Sequence, residues 1–138
     1  MYLLDTDVIS EWRRKESANA GVRAFMRDKR ANQVAVYISA ITVGELRHGI
    51  ERVRHRGDGP QARLLEKWLH EVTGNFQDQV LPFDDNAAQV WGRLLVPHAA
   101  NPIDKQIAAI ALVNDLTVVT RNVTHFKPTG VRLENPFA

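Results

Sequence analysis

A chain of 138 residues that is 44% apolar and 25% charged has the size and composition of one soluble globular domain, which excludes a disordered polypeptide. It contains no cysteine, so disulfides and thiolate metal sites are excluded. The net charge of +2 is unevenly spread: residues 1–70 carry 13 Lys/Arg against 9 Asp/Glu, and residues 71–138 carry 5 against 7.

In chain order, the first element is a short apolar strand, Tyr2-Leu3-Leu4, that stops at Asp5. A helix is expected to begin near Val8, with Asp5 or Asp7 available as its cap. The basic stretch that follows holds Arg13, Arg14, Lys15, Arg23, Arg27, Lys29 and Arg30. A second strand is predicted over Val34–Ile38. Val43, Leu46, Ile50 and Val53 then recur at helical spacing, as do Leu64, Leu65, Trp68, Leu69 and Val72 after a predicted loop at Gly57–Pro60. Ala87, Val90, Trp91, Leu94 and Leu95 form a third helical stripe behind a cap at Asp84 or Asp85. Asn101 reads as the cap of a helix starting at Pro102, which turns Ile103, Ile107, Ile110 and Ala111 inward. Thr117–Thr120 is a third strand and Val131–Leu133 a fourth, with a loop at Lys127–Gly130 between them. Short apolar strands alternating with amphipathic helices predict a doubly wound, parallel α/β sandwich in a single domain over 1–138.

The opening MYLLDTDVIS has no basic lead and no long apolar stretch, so no secretion leader is expected. The longest apolar run, Ile107–Val113, is too short to cross a bilayer. The absence of cysteine fits a reducing cytoplasm, the compartment expected for this chain. Arginine-rich stripes suit a phosphate backbone, and equally suit solvated helix faces.

Open α/β sheets bind ligands beyond the carboxyl ends of their strands. Four segments reach that edge here. Asp5 and Asp7 follow the first strand, Glu45 lies early in the helix after the second, Asp104 opens the helix at Pro102, and Asn122 follows the strand ending at Thr120. Clustered carboxylates repel one another, and a divalent cation removes that penalty. Oxygen donors without cysteine or paired histidines suit Mg²⁺ or Mn²⁺, which activate water and neutralise charge on a phosphodiester.

Each acid also has a purely structural role open to it. Asp104 can serve the helix dipole, Glu45 can close a capping box with Thr42, and Asp5 or Asp7 can cap a helix. Asp5, a charge directly ending an apolar strand, is the one that most needs a partner. The five histidines are scattered and read as surface or satisfied residues. Trp68 and Trp91 fall on apolar stripes, and Trp12 is suited to either core or partner interface.

The ordered set LLDTDVISE, SAITVGELRHGI, NPIDKQIAAIAL and LTVVTRNVTHF with GVRLENPF resembles the motifs of PIN-domain ribonuclease toxins, in particular the VapC/FitB-like branch of type II toxin–antitoxin systems. The resemblance runs from residue 2 to residue 137. It implies a PIN-like, Rossmann-like three-layer sandwich around a mostly parallel sheet of four to five strands. It implies an endoribonuclease that uses Mg²⁺ or Mn²⁺, with Asp5, Glu45 and Asp104 as metal ligands and Asn122 completing the catalytic set. Asp5 and Asp104 would bind the metal directly, and Glu45 would bind through water or orient the attacking water. Thr6 and Asp7 would support the acids, and Arg121, Thr6 and the early arginines would meet substrate phosphates. Implied partners are a VapB-like antitoxin, an RNA substrate, a second copy in a homodimer, and operator DNA only through the antitoxin complex. Many members carry an acid where this chain has Asn122, which removes one negative charge from the site.

Three other readings compete. Asp5-Thr6-Asp7 after a strand also opens haloacid-dehalogenase-type phosphatases, but Lys127 and Asp84-Asp85 do not fall where that chemistry needs them. A phospho-receiver needs an Asp ending a middle strand, where this chain has Ser39. A PIN-fold module that binds RNA or protein without turnover is favoured only by Asn122.

Overall fold

The computed structural model describes residues 1–138. β1 (Tyr2–Leu4) leads through α1 (Thr6–Trp12) and α2 (Ala20–Ala31) to β2 (Val36–Ser39). α3 (Ala40–His55) and α4 (Gly59–Asn75) lead to β3 (Val80–Leu81). α5 (Asp85–Leu94) and α6 (Pro102–Val113) lead to β4 (Thr117–Val119), and α7 (Val123–Phe126) to β5 (Leu133–Glu134). All neighbouring strands pair in parallel, in the order β3-β2-β1-β4-β5. The chain thus winds outward from β1 in one direction and then from β4 in the other. The crevice between those two strands is the place where such a sheet opens at its carboxyl edge.

Side chains on successive strand residues point to opposite faces, and the core divides accordingly. Leu4, Ile38 and Val119 pack with Val8, Val22, Phe25, Leu46, Ile50, Leu69 and Val72 from α1–α4. Leu3 and Val118 pack with Ala87, Ile107, Ile110 and Phe126 from α5–α7. Adjacent residues of one strand thus belong to different cores, and the three-layer sandwich follows. α6 is buried along Ile107–Ala111, which is why its sequence is nearly all apolar there.

Several expected features shift. The second strand starts at Val36, because Val34 N–H instead closes the end of α2 on Lys29 O. The last strand is Leu133–Glu134, and Val131 is buried in the second core. Gly59 and Pro60 are not loop: they open α4 behind Asp58, whose side chain accepts from Gln61 N. Leu64 (64% exposed) and Ile103 (46%) face outward, off the stripes assigned to them. Trp68 and Trp91 are only half-buried. Asn101 precedes α6 in the left-handed region (φ 53°) and makes no capping bond, a conformation that Asn tolerates better than most residues. Asp84 caps α5 as expected, accepting from Ala87 N at 2.9 Å.

Candidate active site

Asp5 is the residue after β1, and its N–H still bonds to Val119 O on β4. The next step along each strand therefore places Asp5 beside Thr120, at the crevice between β1 and β4. Asp5 is 3% exposed, with Oδ1 accepting from Thr6 N–H at 2.8 Å and Oδ2 from Thr120 Oγ1 at 2.8 Å. Burial, followed by the charge of Asp7, pushes its carboxyl from 3.8 up to about 7, against the pull of those two hydrogen bonds; Asp104 adds to the rise.

Glu45 comes to the same place from α3. The cap of α3 is Ser39, whose Oγ accepts from Thr42 N at 3.0 Å. Thr42 therefore sits inside the helix, and the capping box that was the structural alternative for Glu45 does not form. Glu45 Oε1 accepts instead from Thr6 Oγ1 at 2.6 Å, with Thr42 Oγ1 3.1 Å from the same hydroxyl. Thr6 thus ties Asp5 through its backbone to Glu45 through its side chain.

Asp104 stands in the first turn of α6, where a negative charge suits the helix dipole. Its Oδ2 lies 2.9 Å from His125 Nδ1 on α7. Its charge reaches Asp5 and Asp7, raising both carboxyls. Asp7 accepts from Arg121 N–H at 3.0 Å through Oδ2, while its Oδ1 is buried without a partner. Burial is the main cause that raises the Asp7 carboxyl.

Asn122 is exposed; its N–H donates to Thr120 Oγ1 at 2.9 Å, and its side chain caps nothing. The Arg121 guanidinium rests on the Phe137 ring, 3.9 Å from its centroid. Arg13, Lys15, Arg23, Arg27 and Arg30 gather elsewhere, around a groove of about 490 Å³ between α1, α2 and α4. Trp12 and Trp68 line that groove, with Arg30 over Trp12 and Arg13 over Trp68.

Asp5, Asp7, Asp104 and Glu45 are thus joined by charge or by a shared hydroxyl, at the end of one crevice. In this conformation no three His, Cys, Asp or Glu side chains are close enough to share a metal ion. Glu45 is turned to Thr6, and Asp104 to His125. The donor chemistry nevertheless fits a hard divalent cation. Every donor is an oxygen, one buried carboxylate oxygen has no partner, and Asp7 and Asp104 raise the Asp5 carboxyl while Asp104 raises that of Asp7.

Sequence reasoning missed two side chains here. Thr120 was visible only as a strand end, although its parallel register with Asp5 makes it the natural partner. His125 was grouped with scattered histidines, and only the packing of α7 on α6 brings it to Asp104.

The family model for the PIN domain matches residues 2–128. The chain is a PIN-domain protein. Three relatives align along 99% of this PIN domain. The plasmid stability protein StbB of Pseudomonas syringae pv. tomato is 40% identical over 144 residues, with 99% of its own length covered. Toxin FitB of Neisseria gonorrhoeae is 34% identical, with 99% covered, and the VapC ribonuclease Y4jK of Sinorhizobium fredii 32%, with 98% covered. Among solved structures, FitAcB from Neisseria gonorrhoeae superimposes with a TM-score of 0.81 at 32% identity, covering 99% of this chain and 98% of that one. FitAB bound to an IR36 DNA fragment gives 0.80 at 29% identity, covering 100% and 96%.

The PIN assignment also disposes of the phosphatase reading on physical grounds. Asp84 is engaged as a helix cap and Lys127 is exposed in the turn after α7, so neither joins Asp5 as that chemistry requires.

Proposed function

We propose that this PIN domain is a metal-dependent endoribonuclease, the toxin of a type II toxin–antitoxin pair. The observation that carries the reading is Asp5: a buried carboxylate with Asp7 and Asp104 acting on it and Glu45 joined to it through Thr6. Such a concentration of negative charge at a crevice is costly in the metal-free protein and is relieved by a cation. The likeness to a VapC ribonuclease supports RNA as the substrate.

Asp5 and Asp104 would hold Mg²⁺ or Mn²⁺ directly, and Glu45 would do so through water or orient the attacking water. Bound there, the metal would lower the pKa of a water and offset charge on the phosphodiester. Thr120 and Thr6 fix the two oxygens of Asp5, so the carboxylate does not have to reorganise during the reaction. Glu45 Oε1, oriented by the Thr6 hydroxyl, would align the attacking water and accept its proton. Asn122, exposed beside Thr120, would assist through its amide oxygen. Arg121 and the arginines of the α1–α2–α4 groove supply positive charge for phosphates.

The same reading gives the protein a cytoplasmic antitoxin partner and a homodimeric state, with operator DNA reached only through the antitoxin complex. The solved FitAB complex bound to a DNA fragment supports the DNA part of that arrangement.

The test is cleavage of total RNA by the purified, antitoxin-free protein with Mg²⁺ or Mn²⁺, beside Asp5→Ala and an EDTA control. Fragments from the wild type, and none from the variant or the chelated protein, support the reading. Equal cleavage by wild type and Asp5→Ala overturns it.

A further inference from the structure

Asp7 is the one side chain at the crevice with a buried polar atom left over. Its Oδ2 is pinned by Arg121 N–H at 3.0 Å, which fixes the carboxylate's direction, and its Oδ1 is buried with no hydrogen-bond partner, the nearby Val8 N–H being bonded to Asp5 O. A structural need for that one backbone bond would be met by an amide as well as by a carboxylate. An amide would also avoid placing a further negative charge against Asp5 and Asp104. The chain instead holds a second carboxylate here, two residues beyond Asp5, with its free oxygen in a poorly solvated place. A buried oxygen without a donor costs stability unless something positive completes it.

Asn122, by contrast, is exposed and neutral, and the contact it makes to the site is through its backbone N–H. Of the two positions flanking Thr120 and Asp5, the one that carries charge into the crevice is residue 7. We propose that Asp7 is the fourth acid of the site, turning Oδ1 toward the bound divalent cation and supplying the negative charge that Asn122 does not. The inference rests on the metal-dependent reading above and names a residue which that reading had left in a supporting role. Arg121 acts in it through its backbone: its N–H positions Asp7, while its guanidinium lies on Phe137.

The test is Mn²⁺ titration of the metal-stripped protein by calorimetry, with thermal melts run with and without Mn²⁺. The samples are wild type, Asp7→Asn, Asp7→Ser and Asn122→Ala. Asp7→Asn keeps an acceptor for Arg121 N–H and removes the charge, and Asp7→Ser does so with a smaller group if the amide is not tolerated. Loss of Asp7 is expected to weaken Mn²⁺ binding about ten- to hundredfold. The metal-free protein should melt higher than wild type, because a repelling charge has gone, and Mn²⁺ should raise its melting temperature less. Asn122→Ala should weaken binding less than either Asp7 variant. Mn²⁺ affinity within about twofold of wild type in both Asp7 variants overturns this inference alone. A wild-type protein that takes up no Mn²⁺ overturns both this inference and the nuclease reading.

Discussion

Thr120 Oγ1 donates to Asp5 Oδ2 at 2.8 Å and accepts from Asn122 N–H at 2.9 Å. One hydroxyl thus locks the buried acid at the end of β1 to the turn that follows β4. Thr120→Val keeps the shape and removes both hydrogen bonds. A buried carboxyl deprived of a partner costs about 1–3 kcal/mol. Melting of Thr120→Val should fall by several degrees and RNA cleavage should fall with it, while Thr120→Ser should recover most of both. Calorimetry and a cleavage time course check this.

Stability of the metal-free protein should fall as pH rises through neutrality. Asp5 titrates at 3.8 in an ordinary environment and at about 7 in the fold, raised first by burial and then by Asp7. Between those values the folded protein keeps a proton that the unfolded chain has released. The stabilisation from this proton is complete below the lower value and is lost as pH passes the upper one. Each unit of such a rise corresponds to about 1.4 kcal/mol. Thermal melts in EDTA from about pH 5 to about pH 8 should show a continuous decline, and Asp5→Asn should flatten it. A wild-type melting temperature that climbs over this range contradicts the prediction.

His125 Nδ1 lies 2.9 Å from Asp104 Oδ2 and holds that carboxylate at the start of α6. Groups that orient a ligand in this way commonly carry about ten- to hundredfold in metal affinity or activity. His125→Ala should therefore reduce both cleavage and Mn²⁺ affinity. His125→Asn, whose amide can occupy the Nδ1 position, should restore part of each. Recovery with Asn but not with Ala distinguishes orientation from simple packing, since the pair is partly exposed (side chains 45% and 20%) and contributes little to the core.

Gly21 is required by close approach. A Cβ there would stand 2.0 Å from Pro136 O and 2.8 Å from Ala138 N. Gly21→Ala must push residues 136–138 away from α2 and break the bonds between Asn19 and Ala138, at 3.0 and 3.1 Å. A cost of about 1–3 kcal/mol is expected from such overpacking. Faster hydrogen exchange over residues 134–138, together with a lower melting temperature, would show it. Because Arg121 stacks on Phe137, the change should also loosen Arg121.

How much of this was legible beforehand depends on the range of the signal. The apolar stripe through Leu46 and Ile50, the strand Tyr2–Leu4 stopping at Asp5, and the cap at Asp84 are written in residues a few positions apart, and each appears in the fold. α2 was hidden because its arginines dominate the segment and only Val22 and Phe25 are buried. β3 is two residues long, too short to carry an alternation, and β5, of the same length, showed only as the displaced run Val131–Leu133.

By itself the sequence determined the parallel α/β layering and the arrival of acids from separate segments at one sheet edge, because periodicity and strand-ending polarity are local properties of the chain. Only the tertiary structure decided which partner each acid meets. Asp5 meets Thr120 across 115 positions, Glu45 meets Thr6 across 39, Asp104 meets His125 across 21, and one Asp7 oxygen meets nothing. Those pairings follow from strand register and from the packing of one helix on another, and hydrogen bonds of 2.6–2.9 Å depend on positions that no local pattern encodes.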